Sequence, residues 1–210
     1  VIMLLVCSLA LWMRGASGQP MASLGVTILG ALYTGATLSF AYALRYHEYA
    51  LGGRDIAIGG FHMLVAAGGA LVVLPVLVTW ATDIGAYAVG RAFGRRKLMP
   101  SVSPGKTVAG AVGALVVSVL VTALYAEYVL RPVAQLGLTP LGILLFGIVV
   151  SAAAQTGDLF ESLLKREAGV KDSSSLIPGH GGVLDRLDSL FFVLPVAYLL
   201  LSWLLVPAPA

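Results

Sequence analysis

The segment QTGDLFESLLKREAGVKDSSSLIPGHGGVLDRLDS, residues 155–189, decides how this chain folds, because it places concentrated charge between two long apolar runs. It holds six of the ten acidic residues of the chain: Asp158, Glu161, Glu167, Asp172, Asp185 and Asp188. Four basic residues lie among them: Lys165, Arg166, Lys171 and Arg186. Such clustering predicts that the chain leaves an apolar environment here and that these charges form a site.

The spacing within this segment predicts where the charges lie. Asp158, Glu161 and Lys165 are separated by three and four residues, so a helix would carry them on one face. Asp185 and Asp188 repeat this spacing where the last apolar run begins. Between the two groups lies PGHGG, residues 178–182, whose glycines let backbone N–H groups approach an anion. Carboxylates that flank a glycine loop indicate a site for a divalent cation and a polyphosphate.

Outward from this segment, the composition is that of a membrane protein. Hydrophobic residues make up 59% of the chain and charged residues 11%, and the mean hydropathy is +0.94; soluble domains carry roughly 25% charged residues. Five runs are long enough to cross a hydrocarbon core, which needs ~20 residues: 22–44, 56–82, 107–126, 132–157 and 189–210. Because backbone groups in lipid must pair within their own segment, we expect an all-α polytopic protein.

The first thirteen residues, VIMLLVCSLALWM, are apolar but short for a membrane span. No basic segment precedes them and no Met begins the chain, so we expect the end of a helix rather than a signal peptide. Residues 1–210 would then form one membrane domain that is incomplete at its N-terminus. Cys7 is the only cysteine, which excludes an intrachain disulfide.

The basic residues predict the orientation of the helices. Ten of the thirteen Lys and Arg residues lie in the segments 14–21, 83–106 and 158–188, which fall on one side of the membrane if all the apolar runs span it. This asymmetry predicts that side to be cytoplasmic, in an inner or plasma membrane, with the C-terminus outside. The net charge of +3 therefore indicates a basic surface suited to anionic lipid or nucleotide, and no aromatic-basic pattern suggests nucleic-acid binding.

Two features before the charged segment are also functional candidates. Asp83 ends an apolar run. An ionisable residue at the membrane edge is energetically costly, which makes Asp83 a candidate for a functional role. Further on, SPGKT at residues 103–107 predicts a turn at Pro104 and Gly105 and a helix N-cap at Thr107. Lys106 would then stand at a helix N-terminus, where phosphate binds well. Thr139 before Pro140 predicts a second N-cap.

These motifs resemble those of the CDP-diacylglycerol synthases, also called phosphatidate cytidylyltransferases. The main block is S-x2-K-R-x4-K-D-x5-P-x-H-G-G-x2-D-R-x-D, which runs from Ser162 to Asp188. A second block, D-x-G-A-Y from Asp83 followed by the S-P-x-K-T segment, precedes it in the same order as in that family. The resemblance covers about residues 79–210. The serines at 173–175 fall where members vary and support no role.

The resemblance implies transfer of a cytidylyl group from CTP to phosphatidate at the cytoplasmic face, giving CDP-diacylglycerol and pyrophosphate. It implies that Asp158 and Asp185 bind Mg²⁺ or Mn²⁺. The other residues with a catalytic role would be Asp83, Lys165 and Asp188. The residues that bind the nucleotide would be Lys106, Arg166, Lys171, His180, Gly181, Gly182 and Arg186. It also implies a homodimer.

Three alternatives remain beside this interpretation. A CTP-dependent polyprenol or phytol kinase would use similar hydrophobic architecture but transfer the γ-phosphoryl group. A transporter with carboxylates at the membrane midplane is disfavoured because the charges gather on one face and no inverted repeat is visible. A CDP-alcohol phosphotransferase is disfavoured because its D-x2-D-G-x2-A-R motif is missing.

Overall fold

The computed structural model describes residues 2–14, 19–48, 53–58, 61–176 and 181–208. Its helices are α1 (Ile2–Arg14), α2 (Pro20–Arg45), α3 (Ala67–Phe93), α4 (Val108–Ala134), α5 (Pro140–Glu167) and α6 (Leu184–Leu204). Within the described residues, the five helices after α1 are long and apolar enough to cross a membrane. This confirms the predicted all-α polytopic architecture.

Three short antiparallel strand pairs join these helices in the described part of the chain. They are β1 (Gly53–Ile58) with β2 (Phe61–Ala66), β3 (Lys97–Met99) with β4 (Ser103–Thr107), and β5 (Leu136–Leu138) with β6 (Leu205–Pro207). Each pair lies at the end of a helix. The β1–β2 pair makes the predicted start of the second span wrong, because the helix begins at Ala67 rather than at residue 56.

The predicted turn at Pro104 and Gly105 is also wrong, since both residues lie within β4. The chain instead reverses at residues 100–102, where the Val102 N–H donates to the Met99 carbonyl at 3.2 Å. Proline is tolerated in β4 because a two-stranded sheet leaves one side of each strand without a partner strand.

Two helices run further than the apolar runs predicted. α3 continues ten residues past Asp83 to Phe93, and α5 continues past Asp158 to Glu167. Hydropathy alone ends a helix at the first charge, whereas Leu, Lys, Arg and Glu in this extension of α5 are all good helix formers. The last helix is shorter than expected: it ends at Leu204, and the chain continues into β6.

The helix starts follow local chemistry that the sequence did predict. The Thr107 hydroxyl accepts a hydrogen bond from the Gly110 N–H at 3.1 Å and caps α4. The Thr139 hydroxyl accepts one from the Gly142 N–H at 3.0 Å and caps α5, with Pro140 in the first turn. These caps fix where α4 and α5 begin, and Lys106 directly precedes the first of them.

The helices pack around a core of fully buried apolar side chains from α3, α5 and α6, among them Leu74, Val78, Phe146, Val150 and Val193. Small residues bring α3 and α4 close together. A Cβ atom built on Gly110 would lie 2.6 Å from the Ala86 carbonyl oxygen, and one on Gly113 would lie 2.5 Å from the Val89 side chain. The small residues of α4 thus allow the close helix packing that is typical of membrane helices.

The two ends of the bundle differ in character. At one end, β5 pairs with β6, and the imidazole of buried His47 lies 3.2 Å from the Ser202 hydroxyl. At the other end lie the β3–β4 pair, the C-terminal half of α5 and the start of α6, which two ion pairs connect: Lys106 with Asp158 and Lys165 with Asp185. The charged end is where the functional candidates gather.

Candidate active site at the charged end of the bundle

A cavity of about 620 Å³ opens between α3, α4, α5 and the β3–β4 pair. Three cations line it, Arg91, Lys97 and Lys106, together with the carboxylates of Asp83 and Asp158. Much of its wall is backbone, because several lining residues are glycines: Gly90, Gly94, Gly105 and Gly110. Cations beside exposed backbone at the start of a helix form a surface that can bind a polyphosphate.

A second cavity, of about 270 Å³, lies between α3, α5 and the start of α6. Four carboxylates line it, from Asp83, Asp158, Asp185 and Asp188, with one cation from Arg186. Asp83 and Asp158 line both cavities, so the basic cavity and the acidic cavity meet at these two residues. The structure thus brings all four predicted aspartates to one place.

Asp158, which lies just before the main motif block, forms an ion pair with Lys106 of the second block. Its Oδ2 atom lies 2.5 Å from the Lys106 Nζ, and both side chains are half-buried. Asp83 lies within electrostatic range of the charged groups of Asp158, Asp188 and Lys106. A bound anion in the basic cavity would therefore compete with Asp158 for the lysine.

Lys165 forms a second charged connection, between α5 and α6. Its ammonium group donates to Asp185 Oδ1 at 2.8 Å and to Glu161 Oε2 at 3.1 Å. The Glu161 side chain is completely buried, whereas that of Lys165 keeps 18% of its surface exposed. Lys165 is thus shared between two carboxylates, one inside the bundle and one at the acidic cavity.

Asp185 also accepts hydrogen bonds from two separate parts of the segment that joins α5 to α6. Its Oδ2 atom accepts hydrogen bonds from the Ser173 N–H at 2.9 Å, the Ser173 hydroxyl at 2.6 Å and the Gly182 N–H at 2.7 Å. Gly181 beside it has φ of +78°, and a Cβ there would lie 2.7 Å from the same carboxylate oxygen. A glycine is therefore required at 181 on both conformational and steric grounds.

The donor set of the acidic cavity suits a hard cation. Carboxylate oxygens are the ligands that Mg²⁺ and Mn²⁺ prefer, and Mg²⁺ usually keeps water or substrate oxygens in its remaining positions. Among the described residues, no three His, Cys, Asp or Glu side chains converge on a single point. Asp158 and Asp185 carry oxygens of this kind, and in this structure they pair with Lys106 and Lys165, respectively.

Not all predicted nucleotide-binding residues reach the cavities. Arg186 lines the acidic cavity, and the N–H of Gly182 is used by Asp185. Arg166 and Lys171 are exposed and line neither cavity. His180 lies outside the described residues. The roles of these residues in nucleotide binding stay predictions.

Three residues of this neighbourhood had no predicted role, although the helical spacing placed Glu161 on one face with Asp158 and Lys165. Gln155 lines the basic cavity, and its amide lies 3.4 Å from the Ala111 carbonyl oxygen of α4. Ser173 holds Asp185, and Glu161 holds Lys165. A sequence signal existed only for Glu161: a glutamate four residues before a lysine in an apolar helix.

Comparison with known proteins places the chain among related sequences. The model of the Cytidylyltransferase family matches residues 1–204. The chain is 46% identical over 126 residues to the phosphatidate cytidylyltransferase of Bacillus subtilis, covering 60% of this chain and 45% of that protein. It is 47% identical over 120 residues to that of Haemophilus influenzae, covering 57% of this chain and 41% of that protein.

A longer match is found in a cyanobacterium. The phosphatidate cytidylyltransferase of Synechocystis is 41% identical over 186 residues, which is 84% of this chain and 61% of that protein. The chain thus spans about half the length of the curated relatives it matches. Because the family model covers nearly all of its residues, this chain belongs to the Cytidylyltransferase family.

Proposed function

We propose that this chain is the catalytic part of a membrane enzyme that transfers a cytidylyl group from CTP to phosphatidate, producing CDP-diacylglycerol and pyrophosphate. The observation that carries the proposal is the junction of two cavities at Asp83 and Asp158, one lined by cations and the other by carboxylates. A reaction between two phosphate compounds needs cations that neutralise phosphate oxygens and carboxylates that hold a divalent cation. The names of the relatives supply the substrate classes.

In the proposed reaction, an oxygen of the lipid phosphate forms a bond to the α-phosphorus of CTP. The bond from that phosphorus to the bridging oxygen of the β-phosphate breaks, and its electron pair leaves with pyrophosphate. This chemistry needs alignment and charge neutralisation rather than a covalent nucleophile on the protein. The described side chains where the two cavities meet are accordingly charged: Asp83, Lys106 and Asp158.

The residues of this chain take the following roles. Lys106, with Arg91 and Lys97, neutralises phosphate oxygens in the basic cavity, and Arg186 does so beside the acidic cavity. Asp158 and Asp185 would hold the divalent cation, which would neutralise charge on the polyphosphate. Asp83 and Asp188 complete the carboxylate lining, and Lys165 holds Asp185 in place.

The proposed setting is the cytoplasmic side of an inner or plasma membrane, with a second copy of the chain forming a homodimer. The concentration of basic residues at the charged end of the bundle supports this orientation. Substrate access favours it too, since CTP comes from the aqueous side and phosphatidate from the lipid.

The position of a radioactive label separates this reaction from the alternative kinase reaction. Purified protein is incubated with Mg²⁺, phosphatidate, a polyprenol and CTP that is labelled at either the α- or the γ-phosphorus. We expect lipid-soluble radioactivity only from the α-label, and pyrophosphate from the γ-label. Lipid that acquires the γ-label would instead establish a phosphoryl transferase and overturn the proposal.

A further inference from the structure

Glu161 differs from the aspartates that line the two cavities because it is completely buried and lines neither cavity, although it lies within electrostatic range of Asp188. Its Oε2 atom accepts a hydrogen bond from Lys165 Nζ, while its Oε1 atom has no hydrogen-bond partner. Burying a carboxylate is costly unless a cation is held against it. The location of Glu161 therefore needs an explanation beyond helix stability.

An aromatic cluster next to Glu161 keeps this part of the bundle dry. Tyr33 of α2 packs against Phe160 at 5.5 Å, Phe191 at 4.7 Å and Phe192 at 6.2 Å between ring centroids. The Tyr33 hydroxyl is also buried without a hydrogen-bond partner, and it lies within electrostatic range of Glu161. In such surroundings the attraction between Glu161 and Lys165 is little screened, so the ammonium group is held firmly.

The effect of this attraction reaches the acidic cavity through Lys165. The same ammonium group lies 2.8 Å from Asp185, and Asp185 in turn binds the backbone N–H groups of Ser173 and Gly182. A continuous chain of contacts thus runs from Glu161 through Lys165 and Asp185 to both sides of the connecting segment. A change at its buried end would alter the position of Asp185.

We propose that Glu161 is a positioning residue for the transfer reaction: it fixes Lys165, and through Lys165 it fixes Asp185 and the segment between α5 and α6. The role attributed to Asp185 rests on the proposed function, whereas the restraint on the segment does not. The exposed pair Glu127 and Arg131, also four residues apart, shows the contrast. Its atoms lie 2.7 Å apart, but both side chains are about half exposed, and among the described residues no other ion pair involves them.

The test is the variant Glu161→Gln, which keeps the side-chain volume and removes the charge. We expect kcat for CDP-diacylglycerol formation to fall about 10-fold, as for other partners that orient a ligand, with KM for phosphatidate unchanged. Trypsin should cleave faster after Lys171, which is exposed within the connecting segment. The control Glu127→Gln should change neither quantity.

A double-mutant cycle identifies Lys165 as the intermediary. In a Lys165→Met background, Glu161→Gln should no longer lower turnover or speed tryptic cleavage, because the contact it weakens is already gone and the carboxylate it neutralises has lost its cation. Wild-type turnover and cleavage in a folded Glu161→Gln protein would overturn the proposal, as would an undiminished effect in the Lys165→Met background. If the wild type makes no CDP-diacylglycerol, the proposed function fails, and the cleavage rates still decide whether Glu161 holds the segment.

Discussion

At the scale of single residues, the arrangement of side chains at the charged end depends on which carboxylate each lysine contacts. Lys106 contacts Asp158, and Lys165 contacts Glu161 and Asp185. Each of these lysines neutralises a carboxylate that otherwise repels its neighbours around the acidic cavity. A phosphate that enters the basic cavity offers Lys106 a second anionic partner, so substrate binding would weaken the ion pair between Lys106 and Asp158.

Replacing Lys106 therefore tests the basic cavity. Lys106→Ala removes a half-buried cation and leaves Asp158 without this partner, so we expect kcat/KM for CTP to fall on the order of 10²-fold, as for other electrostatic contacts to a reacting group. Steady-state kinetics with varied CTP measure the effect. Arg95→Ala is the control because Arg95 is exposed and lines neither cavity. Equal kinetics for Lys106→Ala and the wild type would remove Lys106 from the site.

At the scale of elements, the positions of the functional side chains depend on how closely α4 and α5 approach each other. Gly147 of α5 faces the backbone of α4: a Cβ built on it would lie 2.6 Å from the Val119 Cα and 2.9 Å from the Val119 nitrogen. Backbone atoms cannot rotate away as a side chain can. The helices must separate to admit even a methyl group.

Gly147→Ala should therefore destabilise the protein by about 1–3 kcal/mol, the usual cost of overpacking. Thermal unfolding of the purified protein in detergent measures this as a lower Tm. Gly30→Ala in α2 is the control, since a Cβ there meets nothing within 4 Å and alanine has the higher helix propensity. A Tm for Gly147→Ala at or above that of the control would show that α4 and α5 are not tightly packed.

The ends of the helices also show which features the sequence could predict and which it could not. Thr107 and Thr139 were correctly predicted as caps because a cap depends on residues three positions away. The apolar runs stop before the ends of α3 and α5 because hydropathy registers charge but not the contacts that satisfy it. The spacing of Asp158, Glu161 and Lys165, in contrast, predicted the helix that α5 forms there. Pro104 and Gly105 favoured a turn on local grounds, and the pairing of β3 with β4 outweighed that preference.

At the scale of the whole molecule, the site exists only because distant parts of the chain meet. α3 supplies Asp83, β4 supplies Lys106, α5 supplies Asp158 and α6 supplies Asp185. The motif pattern predicted these residues as a group. It could not predict that Lys106 contacts Asp158 or that Glu161 belongs to the network, because both facts depend on the packing of helices.

The central claim is that cytidylyl transfer takes place at the acidic cavity, with Asp158 and Asp185 acting together. The most direct measurement is incorporation of α-labelled CTP into lipid by Asp158→Asn, Asp185→Asn and the double variant. The control is Glu167→Gln, an exposed carboxylate at the end of α5. Circular dichroism checks that each variant keeps its helix content.

We predict that each single variant loses most of the labelled lipid while the control keeps it. The double variant should lose little more than either single one, because two ligands of one cation act as a unit. Near-normal incorporation by either folded single variant would contradict the account.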